Sequence, residues 1–264
     1  SDTETLVSAF SQWGIDKTLS QLVGMFAIAI WDLKRKKLHL VRDRFGEKPL
    51  YYGWSNGVFL FGSELKALQS YEGFNNIIDR NVLSLYMQYM YVPSPYSIFK
   101  NVYKLDPGCI LEIDISGTSQ SNKQITSSVF NSKGISIKQW YSLSKIAKNS
   151  QNNLIKDEKE AIDLLEKTLL ESVKSQLISD VPLVAFLSGG VDSSMIVSLM
   201  SQECASPVKT FTIGFEESGF NEAIYAKKVA EHLGTDHHEM YVTANDVFKV
   251  IPNVFCFFRI DSAV

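Results

Sequence analysis

The sequence predicts two domains of different class: an antiparallel α+β domain, then an α/β domain built on a parallel, doubly wound sheet. Three observations carry this prediction. Residues 25–61 hold four strand-like runs with short connections, the mark of antiparallel pairing. Lys148-Asn149-Ser150-Gln151-Asn152-Asn153 is a polar linker pattern, which puts the boundary between 150 and 151. Beyond it strand and helix patterns alternate, as in a βαβα chain. A chain of 264 residues is long enough for both.

The elements follow in order. Leu6, Phe10 and Trp13 recur at helical spacing behind Asp2 and Thr3, either of which would cap the helix. A chain that opens in a capping pattern without an initiator methionine leads us to expect a segment ahead of Ser1. Residues 25–32 and 37–43 read as strands flanking a basic tip, Lys34-Arg35-Lys36-Lys37, which is a solvated hairpin turn sooner than a nucleic-acid patch. Leu50–Trp54 and Val58–Phe61 flank the turn Ser55-Asn56-Gly57. The four runs together predict one antiparallel sheet.

Glu64–Gln69 is a short helix, and Asp79 caps another that runs to about Tyr91, ended by Pro93 and Pro95. Leu105-Asp106-Pro107-Gly108 turns into the strand Cys109–Asp114, and the polar stretch from Ser116 to Ser136 reads as a mobile loop. From Asp157, the spacing of Ala161, Leu164, Leu165, Thr168, Leu169 and Val173 predicts a long amphipathic helix. Val181–Phe186 is a buried strand, Met195–Met200 the first turns of a helix, Val208–Phe215 a second strand, and Asn221–Leu233 a helix closed by Gly234.

Between that first strand and helix lies Leu187-Ser188-Gly189-Gly190-Val191-Asp192-Ser193-Ser194. A helix entered from a glycine pair leaves its first N–H groups without partners. Those donors, the positive end of the helix dipole and three serine hydroxyls make an anion site. The glycines let the backbone approach a phosphate. No Gly-Lys-Ser/Thr ending is present, so this is not a Walker A loop. Asp192 sits where phosphate charge would gather. At an effective dielectric of ~20 and ~5 Å, that repulsion is roughly 3 kcal/mol, and a bridging Mg²⁺ would reverse it. An ordinary βα turn with a serine cap is the alternative.

Composition narrows the function classes. With 45% hydrophobic and 21% charged residues the chain is globular, and its net charge of −3 gives no general attraction to nucleic acid or anionic membrane. Its apolar runs fall short of a transmembrane span. Three dispersed cysteines, Cys109, Cys204 and Cys256, argue against a disulfide framework and fit a reducing cytoplasm. His237 and His238 are adjacent, so on a strand they face opposite sides and do not share a metal.

Four stretches now point to a family. The Ser-Gly-Gly-x-Asp-Ser string resembles the pyrophosphate loop of the ATP pyrophosphatases. Together with Asp43-Arg44-Phe45-Gly46-Glu47-Lys48-Pro49-Leu50-Tyr51-Tyr52, Ser63-Glu64-Leu65-Lys66-Ala67-Leu68 and Gly234-Thr235-Asp236-His237-His238-Glu239, it resembles the glutamine-hydrolysing asparagine synthetases.

The resemblance implies an Ntn-hydrolase-type glutaminase over 1–150, a sandwich of two sheets between helices, truncated at its N-terminus. It implies an ATP pyrophosphatase domain over 151–264, truncated at its C-terminus. Glutamine, aspartate and ATP would be the substrates, Mg²⁺ the cofactor, and a homodimer is left open. Leu187, Ser188, Gly189, Gly190, Val191, Asp192, Ser193, Ser194 and Ile213 would bind ATP, Asp192 would hold the metal, and Asp2 would grip the α-amino group of glutamine. Leu187 and Ile213 can equally be core, and Asp2 equally the helix cap.

Two departures bear on activity. The family's nucleophile is an N-terminal cysteine, and no cysteine precedes Cys109, so no catalytic residue is assigned. The end, residues 254–264, matches the family's acidic Asp-Glu-Pro-Phe-Ala-Asp-Ser-Ser region only in part. The expectation is a fragment that completes neither reaction alone. Rival readings are a relative amidating or cyclising another carboxylate, such as a β-lactam synthetase, and a non-catalytic ATP-binding regulator.

Overall fold

The computed structural model describes residues 1–114, 130–132, 134–215 and 221–258. They form two units, Ser1–Ser150 and Gln151–Phe257. Unit 1 runs α1 (Asp2–Gln21), β1 (Ala27–Asp32), β2 (Lys37–Arg42), β3 (Tyr51–Ser55), β4 (Val58–Gly62), α2 (Leu65–Gln69) and α3 (Arg80–Tyr89). It continues through β5 (Val102–Lys104), β6 (Cys109–Asp114), β7 (Phe130–Ser132), β8 (Ile135–Gln139) and α4 (Leu143–Ser150).

The strands form two antiparallel sheets, β1-β2-β6-β8-β7 and β4-β3-β5. The period-2 alternation of side chains decides what each face meets. Leu40, Leu111, Ile113, Ile135 and Ile137 point to one side of the first sheet and pack on Tyr52, Tyr103, Leu50 and Leu105 of the second. Their neighbours Val41 and Ile110 point the other way, onto Leu19, Ile15 and Leu22. Tyr51 and Val102 face Leu65 and Leu68 of α2. The result is helix, sheet, sheet, helix, the sandwich that the resemblance implies.

One expectation is corrected here: the four runs of residues 25–61 do not share a sheet. β2 pairs on its second side with β6, Leu40 opposite Leu111. The Asp43 carboxylate meanwhile accepts the amides of Phe45, Glu47 and Lys48, turning the chain over to the other sheet. Other boundaries move for local reasons. Ser1, not Asp2 or Thr3, caps α1, its hydroxyl accepting from the Glu4 amide. α3 stops at Tyr89 because Met90 turns left-handed, and α4 takes up Lys148–Ser150 of the expected linker. The hairpin β7–β8 occupies the end of the expected polar loop; residues 115–129 and 133 lie outside the described residues. The tip after Asp32 is a turn, its carboxylate accepting the Lys34 and Arg35 amides. Asn56 and Gly57, with φ of 49° and 81°, make the two-residue hairpin turn between β3 and β4.

Unit 2 comprises α5 (Glu158–Gln176), β9 (Val184–Phe186), α6 (Val191–Glu203), β10 (Lys209–Phe215), α7 (Ala223–Leu233), β11 (Asp236–Val242) and α8 (Ala244–Phe258). Asp157 caps α5 and left-handed Gly234 closes α7, as expected. The three strands are parallel, in the order β11-β10-β9. Ala185 and Leu187 face α5, α6 and α7, whose Val173, Val197, Ala226 and Ala230 bury them. The expectation of a buried strand fails on the opposite face. Phe186 is 77% exposed and Leu187 1%, since every described helix packed on this sheet core lies on the Leu187 side. Residues 259–264, the end of the divergent terminus, lie outside the described residues.

His39 on β2 gives unit 1 a pH signature. Its ring is buried and neither nitrogen has a hydrogen-bond partner among the described residues. Glu112, itself paired with Lys37, lies 3.5 Å from Nδ1 without making such a bond. Burial holds the imidazole below its usual value, outweighing the attraction of Glu112. A group whose folded pKa is depressed binds its proton first in the unfolded chain. Stability is therefore full above ~6.5, the unfolded value, and falls as pH drops toward the folded one. Urea unfolding at pH 7.5 and 5.5 should show wild type losing stability and His39→Leu losing less. Equal slopes would mean His39 is solvated on this timescale.

Candidate functional site

The loop after β9 is fixed from below before it offers anything above. Leu187 donates its N–H to Phe211 and its carbonyl accepts from the Thr212 hydroxyl. With its side chain in the core as well, Leu187 leaves no free group to the loop. Ser188 and Ser193 then lock the turn: their hydroxyls are 2.9 Å apart, and Ser193 Oγ also accepts the Ser188 amide at 3.2 Å. The helix begins at Val191, earlier than expected, so Asp192, Ser193 and Ser194 all stand in its first turn. Gly190, at the cap position, has no side chain to satisfy the first amides, and the Ser194 hydroxyl is buried without a partner.

The two glycines do different work. At Gly189, φ is +77° and an added Cβ would stand 2.6 Å from the Ala226 amide nitrogen, so this position seats the loop against α7. At Gly190 an added Cβ would meet only Ser188 Oγ, at 3.4 Å, so this position keeps the concavity open. Open amides, an orphaned hydroxyl and a bare glycine fit a phosphate group.

Asp192 is exposed at the loop rim. Repulsion of an anion there is about four-fold weaker than at an effective dielectric of ~20, because water's is ~80. No group of three or more His, Cys, Asp or Glu able to hold a metal occurs among the described residues. One carboxylate beside phosphate oxygens still suits Mg²⁺, which takes few protein ligands. Ile213 lies half-exposed on the open face of β10, beyond the level of Leu187. His237 and His238 diverge as expected: Nδ1 of the first meets the Thr210 hydroxyl, while the second stacks on Phe211.

Unit 1 holds a groove of about 660 Å³ between α1 and β1, lined by Asp2, Leu6 and Phe10 on one side and the edge strand on the other. Asp2 stands inside the helix, one residue past the cap, and among the described residues its carboxylate accepts from Thr3 alone. Lys48 and Ser63 complete the polar lining. Sequence reasoning assigned neither; both lie in quoted motifs, and only the path of the chain between sheets brings them here.

Comparison with known proteins places both units. A glutamine amidotransferase domain model matches residues 1–124, and an asparagine synthase model matches residues 164–259. The glutamine-hydrolysing asparagine synthetase 1 of Bacillus subtilis is 33% identical over 96% of this chain and 36% of its own length. The chain belongs to the glutamine-hydrolysing asparagine synthetase family. A Methanocaldococcus jannaschii relative is likewise 33% identical, over 95% of the chain and 45% of that protein. The chain thus spans less than half the length of these curated relatives. Among solved structures, the Bacillus subtilis glutamine phosphoribosylpyrophosphate amidotransferase complexed with ADP and GMP matches at a TM-score of 0.33 and 11% identity. The match covers 95% of this chain and 66% of that one. No described helix is long and apolar enough to cross a membrane.

Proposed function

We propose that the chain supplies the glutamine-recognition and ATP-phosphate parts of an asparagine synthetase. Residues 1–150 form its glutaminase domain and 151–264 belong to its ATP pyrophosphatase domain. The overall reaction joins ammonia released from glutamine to aspartate through a β-aspartyl-AMP intermediate, giving asparagine, AMP, pyrophosphate and glutamate. The loop Ser188–Ser194 carries this reading: uncapped first amides of α6 and an unpartnered Ser194 hydroxyl stand beside Gly190, where an added Cβ would meet only Ser188 Oγ.

The chemistry requires such a cradle. A carboxylate resists attack because it is negative and its leaving group is oxide. Transfer of the adenylyl group makes AMP the leaving group instead, and negative charge gathers on the departing pyrophosphate. Preorganised N–H donors and the dipole of α6 stabilise that charge, with Ser188, Ser193 and Ser194 as the hydroxyl donors. Mg²⁺, when bound at Asp192, would neutralise part of the same charge. Ile213 would line the nucleotide site from β10. In unit 1, Asp2 would hold the α-amino group of glutamine.

Topology supports a doubly wound sheet. Right-handed crossovers that step in one direction put their helices on one face, here α6 and α7. A crossover stepping the other way, back to the open edge of β9, would cover the apolar face that bears Phe186 and Ile213. The strand order then reverses beside β9, and ligands bind at such a reversal, outside the strand C-termini. The Gly189–Ser194 loop stands there.

Asp192→Asn tests the assignment, since it keeps the turn and removes the charge. Calorimetry without metal should show pyrophosphate binding the variant at least as tightly as wild type. With Mg²⁺ the order should reverse. Equal affinities in both conditions would reduce Asp192 to a turn residue.

A further inference from the structure

We infer that Tyr241 is a positioning residue for the phosphate loop: its ring holds the first turn of α7, against which Gly189 is seated. The inference rests on the pyrophosphate reading above. β11 runs parallel to β10 and sets Tyr241 beside Gly214. A Cβ added at that glycine would stand 2.7 Å from Tyr241 Cε1 and 3.1 Å from Ala223 Cβ. The tyrosine ring and α7 therefore share the space that a side chain would take, the close approach that a glycine inside a strand marks. Ala223 opens α7 and is fully buried. One turn on, the Ala226 amide nitrogen bounds the loop, 2.6 Å from where a Cβ on Gly189 would stand.

The ring is held at its far end. Its hydroxyl donates to Glu239 Oε2 at 2.9 Å and lies within reach of the Asn221 side chain. Asn221 Oδ1 in turn accepts the Ala223 amide at 3.1 Å, one of the first N–H groups of α7. Glu239 shares its face of β11 with His237, whose Nδ1 meets the buried Thr210 hydroxyl at 2.8 Å. A row of side chains anchored on two strands thus ends on the first residue of a helix, and that helix bounds the loop. Donors that must meet the departing pyrophosphate without reorganising need a seat fixed in this way.

Calorimetry of the chain with pyrophosphate and Mg²⁺, paired with amide hydrogen exchange, tests the link. Tyr241→Ala removes the wall and should weaken binding about five- to ten-fold, the size of one lost hydrogen bond. Tyr241→Phe keeps the ring and should retain most of the affinity. His238→Ala removes a ring contact from the other face of the same strand and should bind as wild type does. In Tyr241→Ala, exchange should quicken over residues 221–226 and 187–194 and stay at the wild-type rate in α5, a pattern that general loss of stability would not give. Faster exchange throughout unit 2, or an unchanged loop, would overturn the positioning role and leave the pyrophosphate reading standing. Wild type that binds no pyrophosphate would overturn that reading, while exchange would still report whether the loop follows Tyr241.

Discussion

Asp43→Asn should lower the unfolding free energy of unit 1 by about 3–5 kcal/mol, among the larger losses a single polar substitution can cause. The carboxylate is fully buried, and each oxygen accepts two main-chain amides: Oδ1 from Phe45 and Glu47, Oδ2 from Phe26 and Lys48. Asparagine keeps one acceptor and turns the other into an NH₂. Whichever way the amide points, two buried N–H groups then face a donor. Each unsatisfied donor costs roughly 1–3 kcal/mol, and the anion's stronger bonds are lost besides. Chemical unfolding followed by the fluorescence of Trp54 and Trp140 reads this directly. A loss under about 1 kcal/mol would show that the loop relaxes and finds water.

The pH dependence has a definite sign. Burial acts to raise the Asp43 pKa, but the amides of Lys48, Glu47, Phe26 and Gly46 outweigh it and hold the group below its usual value. A depressed carboxylate stabilises the fold above its unfolded pKa, near ~3.9, and that contribution drains away as pH falls through the folded value. Wild type should therefore lose stability below about pH 4, where Asp43→Asn has less left to lose. The two losses begin at different pH, that of His39 below about 6.5 and that of Asp43 below about 3.9.

What the sequence could tell divides along the range of the interactions. Asp79 and Asp157 were legible as caps, and Gly234 as a helix end, because each acts within three or four residues of itself. The motif around Asp43 was legible as a string but not as a hinge between sheets. Its meaning depends on β2 choosing β6, about seventy residues onward, as its second neighbour. The exposure of Phe186 was hidden for a related reason. An apolar run reports that a strand can be buried on both faces, not that a helix is at hand to cover each one. The glycine turn that enters α6 was legible within eight residues, since its glycines and hydroxyls define the local backbone. The start of α6 lies at Val191, ahead of the apolar run from Met195 that announced the helix, because Asp192, Ser193 and Ser194 form its first turn.

Gly189→Ala should be the most damaging change in unit 2, at about 2–4 kcal/mol, and should abolish pyrophosphate binding. Two penalties act together. At φ +77° an L-residue other than glycine is strained, by roughly 1–2 kcal/mol. The added methyl would also stand 2.6 Å from the Ala226 nitrogen and 2.7 Å from the Tyr225 carbonyl carbon, and neither backbone atom can swing aside as a side chain would. Two controls apportion the effect. Gly189→Asn eases the dihedral penalty, since asparagine tolerates the left-handed region, but keeps the collision. Gly234→Ala keeps a left-handed φ of +67° with nothing within 4 Å, so it should show the dihedral penalty alone. If the collision dominates, Gly189→Asn will fail nearly as badly as Gly189→Ala, while Gly234→Ala will retain pyrophosphate binding. Rescue by asparagine would instead show that α7 yields to the loop, leaving the backbone dihedral as the only constraint at this position.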